Sequence, residues 1–225
     1  MITDFMKDPG TFYTIPKYRD RQFPKIACLC PTYKRHSKLK NAVACFLNQI
    51  YPEDCCQMFV LDDAGELTGN VICHDRFPKI QIKSMNERIP FDLGLPEKYN
   101  LLMKMTEEYE PEITVIWEDD DLFLPWHLIS IATQCFHFGI DWFRTKMVCS
   151  NYGHKYLGDI NLEPATGRFH SSWAFASHVV SKYPKTSRLD FDQQLGKLLG
   201  ERTQDTKNKD EKNILPSYVY RWGNS

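Results

Sequence analysis

Glu118, Asp119, Asp120 and Asp121 stand in a row, directly after the apolar stretch Ile113 to Trp117 and directly before Leu122, Phe123 and Leu124. In extended backbone, residues two apart project to the same side, so Asp119 and Asp121 are expected to present their carboxylates together. Paired carboxylate oxygens suit a hard divalent cation, and Mg2+ or Mn2+ would relieve the repulsion among the crowded acids. A merely solvated run of charge is the competing explanation, and the apolar flanks weigh against it. A second acidic pair, Asp62 and Asp63, ends the apolar run Met58 to Leu61. Neighbours in a strand face opposite ways, so one of the two is expected to face a ligand. A carboxylate there can accept hydrogen bonds from a nucleobase imide or a ribose; a turn cap is the alternative. Pro31, Thr32, Tyr33, Lys34 and Arg35 follow the first apolar run and combine an aromatic face, a hydroxyl and cations able to hold a base and a phosphate. An ordinary solvated loop is the rival there.

These groups gain meaning from the elements that must carry them. Lys25 to Cys30 is dense enough in apolar residues to be a strand buried on both faces, stopped by Pro31. Ser37 can cap a helix in which Leu39, Val43, Phe46, Leu47 and Ile50 recur at helical spacing before Pro52 ends it. Met58 to Leu61 is the next strand, giving a parallel βαβ unit with its loops at the strands' C-terminal ends. Lys79 to Met85 alternates and predicts an outer strand. Pro96 suits the first turn of a helix carrying Leu101, Leu102 and Met105 inward and finished by Pro111. Ile113 to Trp117 is a further buried strand. Pro125 starts a helix with Leu128, Ile131, Ala132, Cys135 and Phe136 inward and Gly139 at its C-terminal cap. Thr145 to Ser150 and Arg168 to Ala176 predict strands of a second, partly antiparallel portion that shapes another binding surface. Phe191 to Leu199 predicts a short helix closed by Gly200, Glu201 to Asn213 a polar mobile stretch, and Tyr218 to Trp222 a docked aromatic tail.

Composition narrows the field. The chain has 225 residues, 42% of them hydrophobic and 25% charged, which is the profile of a globular protein with a real core rather than a disordered or fibrous one. Lys and Arg number 28 against 29 Asp and Glu, so no bulk field draws nucleic acid or an anionic surface, and an anionic ligand must be held locally. No apolar run reaches membrane-spanning length and MITDFMKDPGTFY lacks the pattern of a secretory signal, so a cytoplasmic location is expected. The 8 cysteines show no C-x-x-C pair and read as buried thiols; Cys55, Cys56, Cys73 and His74 are the one set to weigh as a zinc site.

Three apolar strands each ending in polar groups, in this order, resemble the family 2 glycosyltransferases and their relatives of the GT-A fold, from about Lys25 to the C-terminus. IACLCPTYKR is similar to the family's opening strand and nucleotide loop, FVLDDAGE to its second acidic strand end, and ITVIWEDDDLFLPWHL to its D-x-D segment followed by Pro and a helix. The resemblance implies an α/β fold, a Rossmann-type mixed sheet sandwiched by helices in a single domain. Residues 1–24 would be an N-terminal extension, 25–125 a half that binds the nucleotide sugar, and 126–225 a half that binds the acceptor. It implies that Pro31, Thr32, Tyr33 and Arg35 line the nucleotide pocket and that Asp62 or Asp63 reads the base. Asp119, with Asp120 beside it, would touch the ribose or donor sugar, and Asp121 would bind the metal with Asp119. GLPEKYN is similar to the stretch that opens a helix near the donor, placing Lys98 close to the phosphates or sugar. DFDQQL resembles the site of the family's late carboxylate base, with Asp192 the better match and Asp190 the alternative. YVYRWGNS is similar to the aromatic closing segment but lacks the metal-binding His that many members carry there.

The activity implied is metal-dependent, inverting transfer of a sugar from a nucleoside diphosphate sugar, UDP-linked by resemblance, to an acceptor hydroxyl, with Mn2+ or Mg2+ as cofactor. A glycan, a lipid-linked sugar, a protein or a modified DNA base would all serve as acceptor, the neutral net charge leaning away from nucleic acid. Two other classes are open. A metal-dependent nucleotidyltransferase would need the Gly-rich phosphate loop that is missing between Lys25 and His36. A non-catalytic nucleotide-sugar or carbohydrate-binding module could stack sugars on Trp142, Tyr152 and Trp173.

Overall fold

The computed structural model describes residues 23–67, 79–90, 94–137, 139–145, 147–150, 161–165, 169–184, 190–202 and 216–221. Sequence readings that fall on residues 1–22, Cys73, His74, Tyr152, 203–213 and Trp222 lie outside these. The first strand, β1 (Ile26–Thr32), is buried along its whole length. Its side chains divide by parity, Ile26, Cys28 and Cys30 entering one apolar layer and Ala27 and Leu29 the other. A strand covered on both faces needs no polar alternation, which is why this run reads as continuously apolar.

Helix α1 (His36–Leu47) lays Leu39, Ala42, Val43 and Phe46 on the first layer, where α3 (His127–Ala132) adds Leu128, Ile131 and Ala132. The opposite layer is closed by Tyr99 and Leu102 of α2 (Gly94–Met105) and by Leu195 and Leu199 of α4 (Phe191–Arg202). Between them lies a six-stranded sheet, ordered β3-β2-β1-β4-β9-β6. Its members are β2 (Cys56–Asp62), β3 (Ile80–Ser84), β4 (Ile113–Ile116), β6 (Trp142–Phe143) and β9 (Ala174–Ala176) around β1. Strands β1 to β4 are mutually parallel, while β9 runs antiparallel to both β4 and β6. The chain leaves β1 toward β2 and β3 on one side and reaches β4 on the other, so a crevice opens where the strand order reverses, at the C-terminal ends of β1 and β4.

A second sheet, ordered β5-β10-β7-β8, is built from β5 (Leu122–Phe123), β7 (Met147–Ser150), β8 (Asn161–Pro164) and β10 (Tyr218–Tyr220). Strand β10 pairs antiparallel with β5 and parallel with β7, which docks the C-terminal segment beside the residues that follow the acidic run. Among the described residues no helix is long and apolar enough to cross a membrane.

The mixed sheet sandwiched by helices is as expected, and the departures are local. Pro31 does not stop β1. Trp117 N–H donates to the Leu29 carbonyl, so odd positions of β1 face β4, and β4 ends at Ile116; Pro31 falls where no partner strand asks for its missing N–H. Helix α1 starts after Arg35 without a side-chain cap from Ser37 and ends at Leu47, leaving Ile50 exposed. Helix α2 ends at Met105, well before Pro111, and α3 begins at His127 rather than Pro125, passing into a π-helical turn over Thr133–His137. Gly200 lies inside α4 rather than closing it. Arg168 to Ala176 is not one strand: Phe169 has a left-handed backbone, His170–Ser172 form a 3-10 turn, and only Ala174–Ala176 joins the sheet. Trp142 and Trp173 are buried edge-to-face against each other, so their faces are not offered to a sugar. Cys55 and Cys56 are free thiols.

Candidate functional site

At the crevice the C-terminal ends of β1, β2 and β4 converge on a cleft of about 330 Å³. Pro31, Thr32, Tyr33 and Arg35 come from the turn after β1, Asp63 from the turn after β2, Lys98 from α2, and Glu118, Asp119 and Asp120 from the turn after β4. Of the residues singled out from sequence, Pro31, Thr32, Tyr33, Arg35, Asp63, Lys98, Asp119 and Asp120 line this cleft, while Asp62, Asp121, Asp190 and Asp192 do not. The structure adds Arg88 from the segment after β3, whose guanidinium lies 4.3 Å from the centre of the Tyr33 ring. No spacing rule marks Arg88 in the sequence; only the adjacency of β3 and β2 delivers it.

The two members of the first acidic pair part company. Asp62 faces its own turn, where its carboxylate accepts hydrogen bonds from Ala64 N at 3.0 Å, Leu67 N at 2.8 Å and the Ser84 hydroxyl. Burial works against its ionisation, but these hydrogen bonds outweigh it and hold the carboxyl below the usual range. Gly65 lets that turn close: its φ is +70°, and a Cβ there would sit 2.6 Å from the Met85 carbonyl oxygen. Asp63 stands on the cleft wall instead, accepting from Ile89 N at 2.7 Å and from Lys98 Nζ at 2.7 Å. Lys98, expected near the phosphates or sugar, lines the same cleft and places one of its three donors on Asp63.

The acidic run departs from its sequence reading. Residues 119–121 lie in a turn, not in extended strand, so the rule that residues two apart share a side does not apply. Asp119 turns back to β1 and accepts from the Thr32 hydroxyl at 2.7 Å and from Arg35 Nη1 at 3.0 Å. The oxygens that converge belong to Glu118, Asp120 and Asp121, within 4.8 Å of one another. Glu118 and Asp120, two apart with Asp121 next to them, resemble a D-x-D motif whose first acid is Glu. Of the pair expected to share a cation, Asp121 belongs to this cluster and Asp119 is held instead by Thr32 and Arg35. Hard oxygen donors at this separation fit a divalent cation.

Asp121 is the most enclosed of the three. Its Oδ2 accepts from Ser171 and from the Tyr218 hydroxyl, each at 2.6 Å, and its Oδ1 from Arg221 N at 3.1 Å. Arg221 also donates from Nε to the Asp120 carbonyl at 2.5 Å, and its buried Nη2 has no partner among the described residues. The closing segment, which lacks the sought His, thus places an arginine against the acidic run. Asp120 takes Arg35 Nη1 at 2.8 Å. Burial opposes the charge on Arg35, yet Asp120 and Asp119 more than restore it and hold the guanidinium above its ordinary value.

Asp192 sits in the first turn of α4 and Asp190 just before it, where the Asp190 carbonyl accepts Gln194 N at 3.0 Å. Among the described residues neither lines the cleft. Phe191 packs 5.1 Å from the ring of His170, which in turn touches Glu118, and the charge of Asp192 is felt at His170 and Tyr183. Glu118, Ser171 and His170 are residues that sequence reasoning did not assign to the site. Glu118 was visible within the acidic run, whereas Ser171 and His170 carry no local signal.

Burial raises the carboxyl of Glu118 well above the usual range, with Asp120 and Asp119 adding repulsion. Burial does the same to Asp121, Glu118 adding to it, while hydrogen bonds from Ser171 and Tyr218 oppose. These groups hold protons in the folded chain at pH values where the unfolded chain has released them, so their contribution to stability is lost as pH rises through the raised values. His127 and His170 are pushed down to about 3 by burial and act oppositely, but only below the unfolded value near 6.5. The melting temperature of the protein in EDTA should therefore fall between about pH 6.5 and 8, by roughly 2–4 °C for each kcal/mol lost. Glu118→Gln should flatten that slope in calorimetry, and a level wild-type profile would contradict the assignment.

No protein-family model matches the chain, and no curated protein matches it. Solved structures do. The fold is similar to that of TarS from S. aureus, with a TM-score of 0.69 at 12% identity over 88% of this chain and 36% of that one. It is similar to TarS residues 1–349 in complex with UDP-GlcNAc, with a TM-score of 0.67 at 13% identity over 88% of this chain and 58% of that one. It is also similar to the mannosyltransferase PcManGT from Pyrobaculum calidifontis in complex with GDP-Man and Mn2+, with a TM-score of 0.61 at 16% identity over 97% and 61%. This chain spans less than two thirds of the length of those structures. The architecture they share with it is the GT-A fold.

Proposed function

We propose that this GT-A chain is a metal-dependent glycosyltransferase that moves a sugar from a nucleoside diphosphate sugar, UDP-linked, to an acceptor hydroxyl with inversion. The observation that carries the reading is the convergence of Glu118, Asp120 and Asp121 in a cleft at the point where the strand order reverses, with cations and an aromatic ring on its walls. That UDP-GlcNAc and GDP-Man with Mn2+ are bound by proteins of similar fold supports the donor class and the cation.

In this reading Glu118 and Asp120 hold Mn2+ or Mg2+, with Asp121 beside them. Bound there, the cation supplies Lewis-acid neutralisation of the departing diphosphate. The chain's own residues do the rest. Tyr33 stacks the base, Asp63 accepts its imide N–H from a position fixed by Lys98 and Ile89 N, and Arg35 and Arg88 offer donors to the phosphates. Thr32 and Arg35 fix Asp119 toward the ribose or sugar. Asp192 removes the proton from the acceptor hydroxyl as that oxygen bonds to the anomeric carbon and the bond to the diphosphate breaks on the opposite face; Asp190 holds the start of α4. Residues 25–125 form the donor half and 126–225 the acceptor half, and the cytoplasmic setting belongs to the same proposal.

A thermal-shift panel of UDP- and GDP-sugars with and without Mn2+ tests it, because a ligand held only by the folded chain stabilises it by about 2.7 kcal/mol at a hundredfold excess over Kd. One nucleotide should raise the melting temperature by several degrees, and only with the cation present. Equal melting in every well sinks the reading. Stabilisation without turnover of the donor favours the non-catalytic binding module, and the anomeric configuration of the product, read by NMR, decides inversion.

A further inference from the structure

Oε1 of Glu118 has two polar neighbours, the Tyr99 hydroxyl at 3.4 Å and Nδ1 of His170 at 3.3 Å; in the ionised form that a cation would bind, it accepts from both. Among the described residues no donor reaches Oε2. The other ring nitrogen of His170, Nε2, meets the hydroxyl of Tyr183. A histidine that donates from Nδ1 must accept at Nε2 when neutral, so the Tyr183 hydroxyl donates to it, and the two contacts together select one tautomer. The ring is 7% exposed and boxed by Tyr99, Trp173, Tyr183 and Phe191, with centroids at 5.1–5.9 Å. Burial holds it neutral in support of that arrangement. The next residue, Ser171, donates to Asp121, so two consecutive side chains of one 3-10 turn grip two of the three converging acids.

We propose that His170 is a positioning residue for the acidic cluster: it binds one oxygen of Glu118 so that the other is presented to a divalent cation, and it ties that carboxylate to the helix that carries Asp192. The inference rests on reading the cluster as a metal site. Carboxylates free to rotate or to bind through both oxygens make a looser site, and groups that orient metal ligands from behind typically change affinity by about 10–100-fold. Phe191, packed edge-to-face against the same ring, makes this histidine a physical link between the cluster and the start of α4.

Isothermal titration of Mn2+ into the full chain, without donor, is the test. His170→Ala should weaken Mn2+ binding by about tenfold or more. His170→Asn, whose amide can donate from close to the Nδ1 position, should recover most of it, and Tyr183→Phe, which keeps the ring and removes the Nε2 partner, should fall between. Wild-type affinity in a His170→Ala chain that melts within a few degrees of wild type overturns the proposal. So does an Asn variant as weak as the Ala variant, which would trace the loss to packing alone. If His170→Ala does not fold, the order of the other two decides: Asn tighter than Tyr183→Phe is expected, and the reverse order overturns it. A wild-type chain that takes up neither Mn2+ nor Mg2+ instead overturns the metal reading on which this one stands, and the first titration separates that failure from a failure of His170.

Discussion

Asp192→Asn should lower sugar transfer by about 10²–10⁴-fold while leaving the affinity for donor and cation close to that of the wild type. The reason is positional. Asp192 opens α4, outside the wall of the cleft that would hold the nucleotide, and is linked to the acidic cluster through Phe191 and His170. A base for the acceptor hydroxyl has to stand on the side of the sugar away from the departing diphosphate, so removing its charge leaves the donor's contacts intact. The Asn side chain keeps the size and the helix start, so the loss belongs in kcat rather than in folding. Asp190→Asn, by contrast, should cost little, because that residue supports the first turn of α4 through its backbone carbonyl and through a carboxylate oxygen that accepts from Gln194 Nε2 at 3.3 Å, a role the amide oxygen of Asn can keep. Full activity in Asp192→Asn together with a collapse in Asp190→Asn would reverse the assignment.

Asp120→Ala and Asp121→Asn should fail in different ways. Asp120 is one of the converging acids with the fewest competing partners, Arg35 Nη1 being the donor it accepts, so its loss should remove Mn2+-dependent donor binding, a change of at least about tenfold. Asp121 accepts from Ser171, Tyr218 and Arg221 N in an almost wholly buried position. Exchanging the oxygen that meets Ser171 and Tyr218 for an NH2 makes those hydroxyls give up the bonds they donate to it, a loss that costs about 1–3 kcal/mol of stability. Denaturant unfolding and donor titration, run on both variants, separate the two effects. A fully stable Asp121→Asn chain with lost donor binding would mean that Asp121, not Asp120, is the principal holder of the cation.

Much of this architecture can be read from one chain because its signals are local. Strands β1, β2 and β4 announce themselves as apolar runs, and each run ends where polar residues begin, so the position of the cleft at their C-terminal ends follows from topology. The errors sit where backbone direction changes. Arg168 to Ala176 looks like a strand because its apolar content says nothing of the left-handed Phe169 that breaks it. Pro31 looks like a terminator because nothing local shows that β4 has already left its side of β1.

The same division holds at the site. Residue type alone determined that acids, an aromatic ring and cations would gather at the strand ends, since the burial of the strands forces their polar successors to the rim. Which carboxylate does what was decided only by tertiary contacts between residues far apart in the chain. Thr32 claims Asp119 across 87 positions and Arg221 claims Asp121 across 100, while His170 reaches Glu118 across 52. A hydrogen bond of this kind depends on ångström distances and on direction, and those are set by how the sheets and helices pack, not by the spacing of residues along a turn.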